Sequence, residues 1–351
     1  MGLNAVWLVR GRIMRIAAVA LMLLPIFVGC QRFVLKSQVE TRLDSTPVSP
    51  TAGNVKPVVV QAGASRIAVL DVDGLILNTP FVGPLSVGEN PVALFREKLE
   101  AVACDPCVKA VVLRVNSPGG GVAACISMRH DLERFKERTK LPVVACLMDT
   151  AAGGAYYLAS AADQVVAGPA TVTGGIGVLL NLFNLQDLMA QFNIIPQSIK
   201  AGDLTDIGTS ARRLTDDEKK LLQTMADEFH GQLIAGVKQS RPMATEATTF
   251  DGRIFTGTQA KAKGLVDQVG DLDEAIQLAA GMGCPGLNVR PGVVMYRRNN
   301  DPARSVYAIT PNVPLQGSGL LPNLPGLDRS KMPTFLSVWQ PELTLEKIGG
   351  K

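Results

Sequence analysis

The sequence predicts an α/β domain built on a parallel sheet, and three observations carry that prediction. Short, almost wholly apolar runs recur, as at 108–115 and 142–147, and read as strands buried on both faces. Between them lie segments with apolar residues at helical spacing. Strand and helix alternate along the chain, as they do in a layered α/β core. With 351 residues and 47% apolar content, the chain can bury one large domain or two small ones.

The first segment reads as an export signal. Arg10, Arg12 and Arg15 precede an apolar run of 13 residues, Ile16 to Val28, too short for a membrane span and suited to a signal peptide. It ends in Phe27-Val28-Gly29-Cys30. A small residue before a Cys at that point resembles a bacterial lipoprotein signal, which implies lipidation of Cys30 and removal of the residues before it. An uncleaved anchor and plain secretion are the alternatives. Gln31, where an Asp would retain a lipoprotein at the inner membrane, implies outer-membrane sorting in a cell with two membranes. Residues 31–64 are rich in Ser, Thr, Pro and Gly and are expected to form a flexible tether.

Order is expected from Arg66, with a strand over 67–72 closed by Asp73-Gly74. Pro91 opens a helix to about Val102, with Val92, Leu94, Phe95 and Leu99 on one face. A strand over 108–115 leads to the turn Asn116-Ser117-Pro118-Gly119-Gly120-Gly121, then a helix from about Val122 to Arg138. A strand at 142–147, a short Ala-rich helix at 152–162 and a strand at 164–167 follow. Thr215 with Glu218 three residues on forms a capping box. The stripe Leu222, Met225, Phe229, Leu233 on the helix it starts is read as packing. The core domain is placed at 65–285. Residues 286–351, with Pro at seven positions from Pro302 to Pro341 and little periodicity, are expected to be an extended or disordered tail.

Thirty-five basic against 31 acidic residues leave a net charge of +4, with no long basic run and 5% aromatics. That excludes a nucleic-acid binder on charge and on stacking surface alike. Beyond Cys30, Cys104 and Cys107 form a Cys-x-x-Cys, and Cys125, Cys146 and Cys284 are left over. An odd remainder does not make a disulfide framework, and with no second Cys pair or nearby His neither a zinc site nor any cofactor is expected. Cys104 and Cys107 are read as a local disulfide or as free thiols. His130 and His230, the only histidines, are both read as solvent-exposed.

Four stretches in order resemble peptidase family S49, the signal peptide peptidase A family. The first is Val111-Val112-Leu113-Arg114-Val115-Asn116-Ser117-Pro118-Gly119-Gly120, a strand followed by NSPGG. The second, Asp149-Thr150-Ala151-Ala152-Gly153-Gly154-Ala155-Tyr156-Tyr157, is similar to DxAASGGYY and continues through Thr173-Gly174-Gly175-Ile176-Gly177, similar to TGSIG. The third runs from Ile199 to Gly208, beside IKSGxYKDxG. The fourth is Asp251 to Gly257, beside DGRVFTG, with Gly264-Leu265-Val266-Asp267 after it. One such match has little weight, and four with compatible spacing are specific. The resemblance covers about residues 66–280. It implies a ClpP/crotonase-like spiral of strand–strand–helix units, with peptide hydrolysis by a Ser nucleophile and a Lys base. A Lys can act as base where apolar surroundings lower its pKa, and the amides of a Gly-rich turn hold the oxyanion.

Both members of that dyad are replaced. Gly153 stands at the position of the Ser, Thr205 at that of the Lys, and Gly175 at the Ser of TGSIG. Hydrogen cannot attack, and a Thr hydroxyl is no base at neutral pH. Ser117, Ser160, Lys200 and Cys146 are the candidate substitutes. Their plainer readings are a turn cap, a packed helix residue, a Lys of undefined aim and a small buried hydrophobe. The expectation is therefore a pseudopeptidase that keeps an oxyanion- or peptide-binding surface at Gly119, Gly120 and the Gly154 amide. Its partners would be peptides, the membrane through its anchor, and like subunits in a homo-oligomeric ring or a ring shared with an active paralogue, at a bacterial cell envelope with the domain facing the periplasm or exterior. An active serine peptidase using other residues and an envelope scaffold are the alternatives.

Overall fold

The computed structural model describes residues 55–63, 65–79, 89–286, 290–298, 303–308 and 335–339. The signal segment and Cys30 lie outside them, as does most of the tail.

The predicted strand–helix alternation is present. In chain order the elements are β1 (Val55–Gln61), β2 (Arg66–Asp73), α1 (Pro91–Ala103), β3 (Val108–Ser117), β4 (Gly119–Gly121), α2 (Val122–Thr139), β5 (Val143–Ala152) and α3 (Gly154–Ala159). They continue with β6 (Gln164–Ala167), β7 (Val172–Gly174), α4 (Gln186–Gln191), α5 (Asp216–Ser240), β8 (Ile254–Thr256), α6 (Gly257–Ala262), β9 (Gln268–Val269), α7 (Leu272–Gly283), β10 (Gly292–Arg298) and β11 (Leu336–Val338). The main sheet runs in the order β1, β10, β2, β3, β5, β6, β9. From β10 to β9 every neighbour is parallel, and the edge strand β1 is antiparallel to β10. A branch carries β7, parallel to β5, and β8, antiparallel to β7.

The pleat sends alternate residues of each central strand to opposite faces. Val111, Leu113 and Val115 of β3 join Ala68, Leu70, Ala145 and Leu147 in the core beneath α1, α2 and α3. Ala110 and Val112 turn the other way with Ile67, Val69, Val144 and Cys146, against Leu272, Ile276 and Ala279 of α7. Both faces are covered, which is why these strands read as unbroken apolar runs.

The helices start where their caps say. Asn90 accepts from the Val92 and Ala93 amides at the head of α1. In the predicted capping box, Glu218 N donates to Thr215 Oγ1 at 3.2 Å and Thr215 N to Glu218 Oε2 at 2.9 Å.

Several boundaries differ from the sequence reading. A strand precedes the expected start at Arg66: β1 pairs with β10 from Val55↔Arg298 to Gln61↔Val293. Pro57 is tolerated there because an edge strand needs only one row of hydrogen bonds. The segment after 286 is likewise not all extended tail. β10 is inserted between β1 and β2 with Val293, Val294 and Met295 buried. Its seven residues carry no periodicity because both faces are covered. β5 runs on to Ala152, so the Ala-rich helix shrinks to Gly154–Ala159. The α5 stripe packs only in its second half: Leu233 is fully buried and Met225 is 37% exposed. No helix among the described residues is long and apolar enough to cross a membrane.

Candidate functional site

β5 ends at Ala152, and the chain turns at Gly153 into α3. Gly153 has φ +57° and ψ −127°, a conformation that L side chains rarely adopt. Strand, sharp turn and short helix make an elbow that would lift a side chain at this position out of the sheet. Three bonds hold it: Gly153 N donates to Gly174 O at 2.8 Å, Gly175 N to Arg253 O at 2.8 Å, and Thr173 Oγ1 to Ala151 O at 2.6 Å. The predicted nucleophile position is therefore built and rigid, with hydrogen as its side chain.

The Gly-rich turn lies beside the elbow. Ser117 is fully buried and accepts from the Gly119 amide at 3.1 Å, which is the turn-capping role expected for it. That bond engages the Gly119 amide and takes it out of the predicted set of oxyanion donors. Ile76 N donates to Gly119 O at 2.9 Å and Gly121 N to Ile76 O at 2.8 Å, which fixes β4 from its other side.

Between this turn and Leu179 runs β11. It pairs antiparallel with β4 in the register Leu336↔Gly121, Ser337↔Gly120, Val338↔Gly119. Val122 N donates to Phe335 O at 3.1 Å and Trp339 N to Pro118 O at 2.9 Å. Hydrogen-bonded pairs recur every second residue in an antiparallel ladder, so Ser337 and Gly120 form the one between. On the outer side Leu336 exchanges both its backbone groups with Leu179, N to O at 2.8 Å and O from N at 2.7 Å. The Phe335 ring meets Phe229 of α5 edge-on, centroids 5.0 Å apart.

The glycines fit this segment closely. A Cβ built on Gly153 would lie 2.4 Å from the Ser337 carbonyl oxygen, and one on Gly119 would lie 2.1 Å from the same atom. One on Gly154 would be 2.2 Å from Cys125 Sγ and 3.3 Å from that oxygen. At Gly175 it would be 3.3 Å from Trp339 Cβ. Gly119, Gly153 and Gly154, singled out from the sequence, thus converge on one peptide carbonyl, whereas a Cβ on Gly120 would meet the Ile76 carbonyl on the other side of β4.

Thr205 is elsewhere. It sits on the exposed segment after α4, where its hydroxyl donates to Ala201 O at 2.8 Å and lies 3.0 Å from Gly202 O. Lys200 pairs with Asp206 at 2.7 Å. Arg212 joins Asp206 at 2.8 Å to Glu218 at 2.5 Å, tying the segment to the start of α5.

The candidate substitutes occupy closed positions. Ser160 is fully buried, accepts from Arg129 Nη1 at 2.8 Å and donates to Tyr157 O at 2.8 Å. Burial pushes the thiols of Cys125 and Cys146 up to about 12, so neither is a thiolate at neutral pH. Cys104 and Cys107 are exposed free thiols. His130 is exposed as expected, whereas His230 is half-buried, its Nε2 donating to Ile176 O at 3.1 Å. That correction follows from α5 lying over the strand-end loop beside Gly175, a neighbour that no local pattern names.

Phe335–Trp339 was the part that the sequence reading missed. Its signal is a short apolar, β-prone pentad, Phe-Leu-Ser-Val-Trp, between Pro333 and Pro341.

Residues 135–282 match the profile of Peptidase family S49. Among curated relatives, a protein named as a signal peptide peptidase SppA in Enterococcus faecium is 31% identical over 221 residues, 62% of this chain and 64% of that one. A protein named as a protease in Methanocaldococcus jannaschii is 36% identical over 181 residues, 51% and 58%. Protease 4 of Salmonella typhi is 32% identical over 216 residues, 61% of this chain and 34% of the relative. The chain spans about three fifths of the length of the first of these relatives. A solved structure of a membrane-bound stomatin-specific protease superposes with a TM-score of 0.40 at 16% identity, over 62% of this chain and 86% of that one. The matched stretch runs through the Gly153 elbow and the Thr205 segment, so the part of the chain that holds both positions is similar to peptidase family S49.

Proposed function

We propose that this chain is a catalytically silent S49 protein that binds extended peptides at the cell envelope. One observation carries the reading: at the elbow, where a nucleophile would project, there is hydrogen, and a peptide carbonyl lies against it. A hydroxyl needs a base within hydrogen-bond reach to attack, and Thr205 supplies none. What remains is β4, one row of backbone groups at Leu179 and a Gly-lined trough, the parts that bind a strand by β-addition.

The exposed apolar residues on either side of α4 support assembly with like subunits, either copies of this chain or an active paralogue. Phe183, Phe192, Ile194, Ile195 and Ile199 are all more than half exposed, with Ile199 fully so. So large an apolar surface is characteristic of a protein interface. Lipidation at Cys30 would hold the assembly at a membrane, its domain facing the periplasm or exterior.

The test is a peptidase assay of the full chain on a broad peptide panel, with fluorophosphonate labelling in parallel. The expected result is no turnover and no labelled residue. Turnover that a single substitution abolishes, or stoichiometric labelling of one Ser or Thr, would establish the alternative of an active peptidase.

A further inference from the structure

We propose that the groove is a receptor for the chain's own residues 335–339, and that any other peptide reaches it only by displacing them. The inference rests on the peptide-binding reading and adds to it the ligand's chemistry and the device that controls access.

The seated segment shows what the groove takes. Its main chain is held on both sides, by β4 and Pro118 on one and by Leu179 on the other, so recognition of the backbone is independent of sequence. Selection comes from the side chains. Phe335, Ser337 and Trp339 share one face of the strand, by the period of two. Phe335 meets the Phe229 ring, which asks for an aromatic or large apolar residue. Ser337 is fully buried, and its Oγ has no hydrogen-bond partner among the described residues. A site that buries an unpaired hydroxyl is shaped for a small side chain and would take Ala at least as well. The ligand class is therefore an extended peptide with an aromatic or large apolar residue two positions before a small one.

Gly153 and Gly175 make the fit possible. Each has positive φ, and a Cβ on either would press on the segment, on the Ser337 carbonyl in one case and on Trp339 in the other. These are the two positions where the family resemblance expects Ser. Their change to Gly removes a side chain and opens the seat in one step, so loss of the nucleophile and capture of the tail have a common structural basis. Twenty-six residues, 309 to 334, separate Phe335 from the described segment that ends at Ala308. Being part of the same chain, the segment competes with a free peptide intramolecularly, at an effective concentration that dilution does not lower.

The full chain with Trp7→Phe reports the seat directly, since Trp339 is then its one tryptophan. In this background Ser337→Phe is expected to expel the segment and red-shift Trp339 emission, with circular dichroism unchanged. A labelled nonapeptide of residues 333–341 is expected to bind the Ser337→Phe chain at least tenfold tighter than the unsubstituted chain. The Ser337→Phe version of the peptide should not bind, and the Ser337→Ala version should bind as tightly or tighter. Emission and affinity that ignore Ser337→Phe would overturn the proposal. If the Ser337→Phe chain binds unrelated alternating apolar peptides but not 333–341, the self-ligand claim fails and the peptide-binding reading stands. If it binds neither, both fail. Emission that depends on protein concentration would place the segment of a second copy in the groove and overturn the claim of occupation within one chain.

Discussion

At the scale of single residues, burial decides which groups react. Cys104 and Cys107 are exposed, whereas Cys125 and Cys146 lie in the two cores with thiols pushed up to about 12. Ellman titration of the reduced protein is expected to find Cys104 and Cys107 among the fast thiols and Cys125 and Cys146 only after unfolding. Fast labelling of Cys146 in the native state would return it to the list of nucleophiles. Arg129 is a buried cation with many partners. It is 2% exposed and donates to Tyr157 O, Ser160 Oγ, Gly236 O, Ser240 Oγ and Glu133, which joins α2 to α3 and α5. Arg129→Ala leaves these acceptors unpaired and is expected to cost about 3–5 kcal/mol in urea unfolding. A loss below about 1 kcal/mol would mean that water replaces the guanidinium.

At the scale of elements, the ion cluster at the head of α5 makes local stability depend on pH. Hydrogen bonds from Arg212 first, then the Thr215 backbone, hold the Glu218 carboxyl down to about 2 from an ordinary 4.5. Arg212 and then Lys200 hold Asp206 far below its usual range as well. Both folded-state values are depressed, so the contribution is complete above about 4.5 and is lost as pH falls towards 2. Amide exchange across residues 203–219 is expected to accelerate over that interval while the central strands stay protected. Arg212→Ala should weaken the pH dependence, leaving what the Thr215 backbone and Lys200 supply, and an unchanged profile would show that the cluster does not hold the segment. The same reasoning explains why Thr215 and Glu218 were legible in advance. A capping box is set by four consecutive residues and needs no distant partner. The register of β11 on β4, by contrast, joins residues more than two hundred positions apart.

At the scale of the whole molecule, the proposed assembly would use the apolar segment between α4 and α5. Ile195→Asp with Ile199→Asp is expected to reduce the mass of the soluble chain measured by light scattering while leaving its circular dichroism intact. Both residues are exposed, so the change removes a surface and not a core. An unaltered mass would place the contact elsewhere. The double substitution Gly153→Ser, Thr205→Lys is expected to stay inactive by itself. The new Ser would sit at φ +57°, a strain of about 1–3 kcal/mol, and would clash with the seated Ser337 carbonyl. Turnover by that variant with the tail present would show that 335–339 leaves the groove readily.

The strand–helix alternation, the buried strands at 108–115 and 164–167 and the elbow glycines were all legible in the sequence. Each is local: an apolar run, a turn dipeptide or a motif of a few residues states its own conformation. β1 and β10 were not, because an edge strand with a proline and a strand covered on both faces lose the alternation that announces a strand. Nor could any local pattern show that Phe335–Trp339 fills the groove, since that contact joins the end of the chain to turns at 118–122 and 179. The absence of a reacting side chain at Gly153 is a fact of composition. What occupies its place is decided by tertiary structure, because only packing brings a distant carbonyl against a backbone that has no Cβ to keep it away.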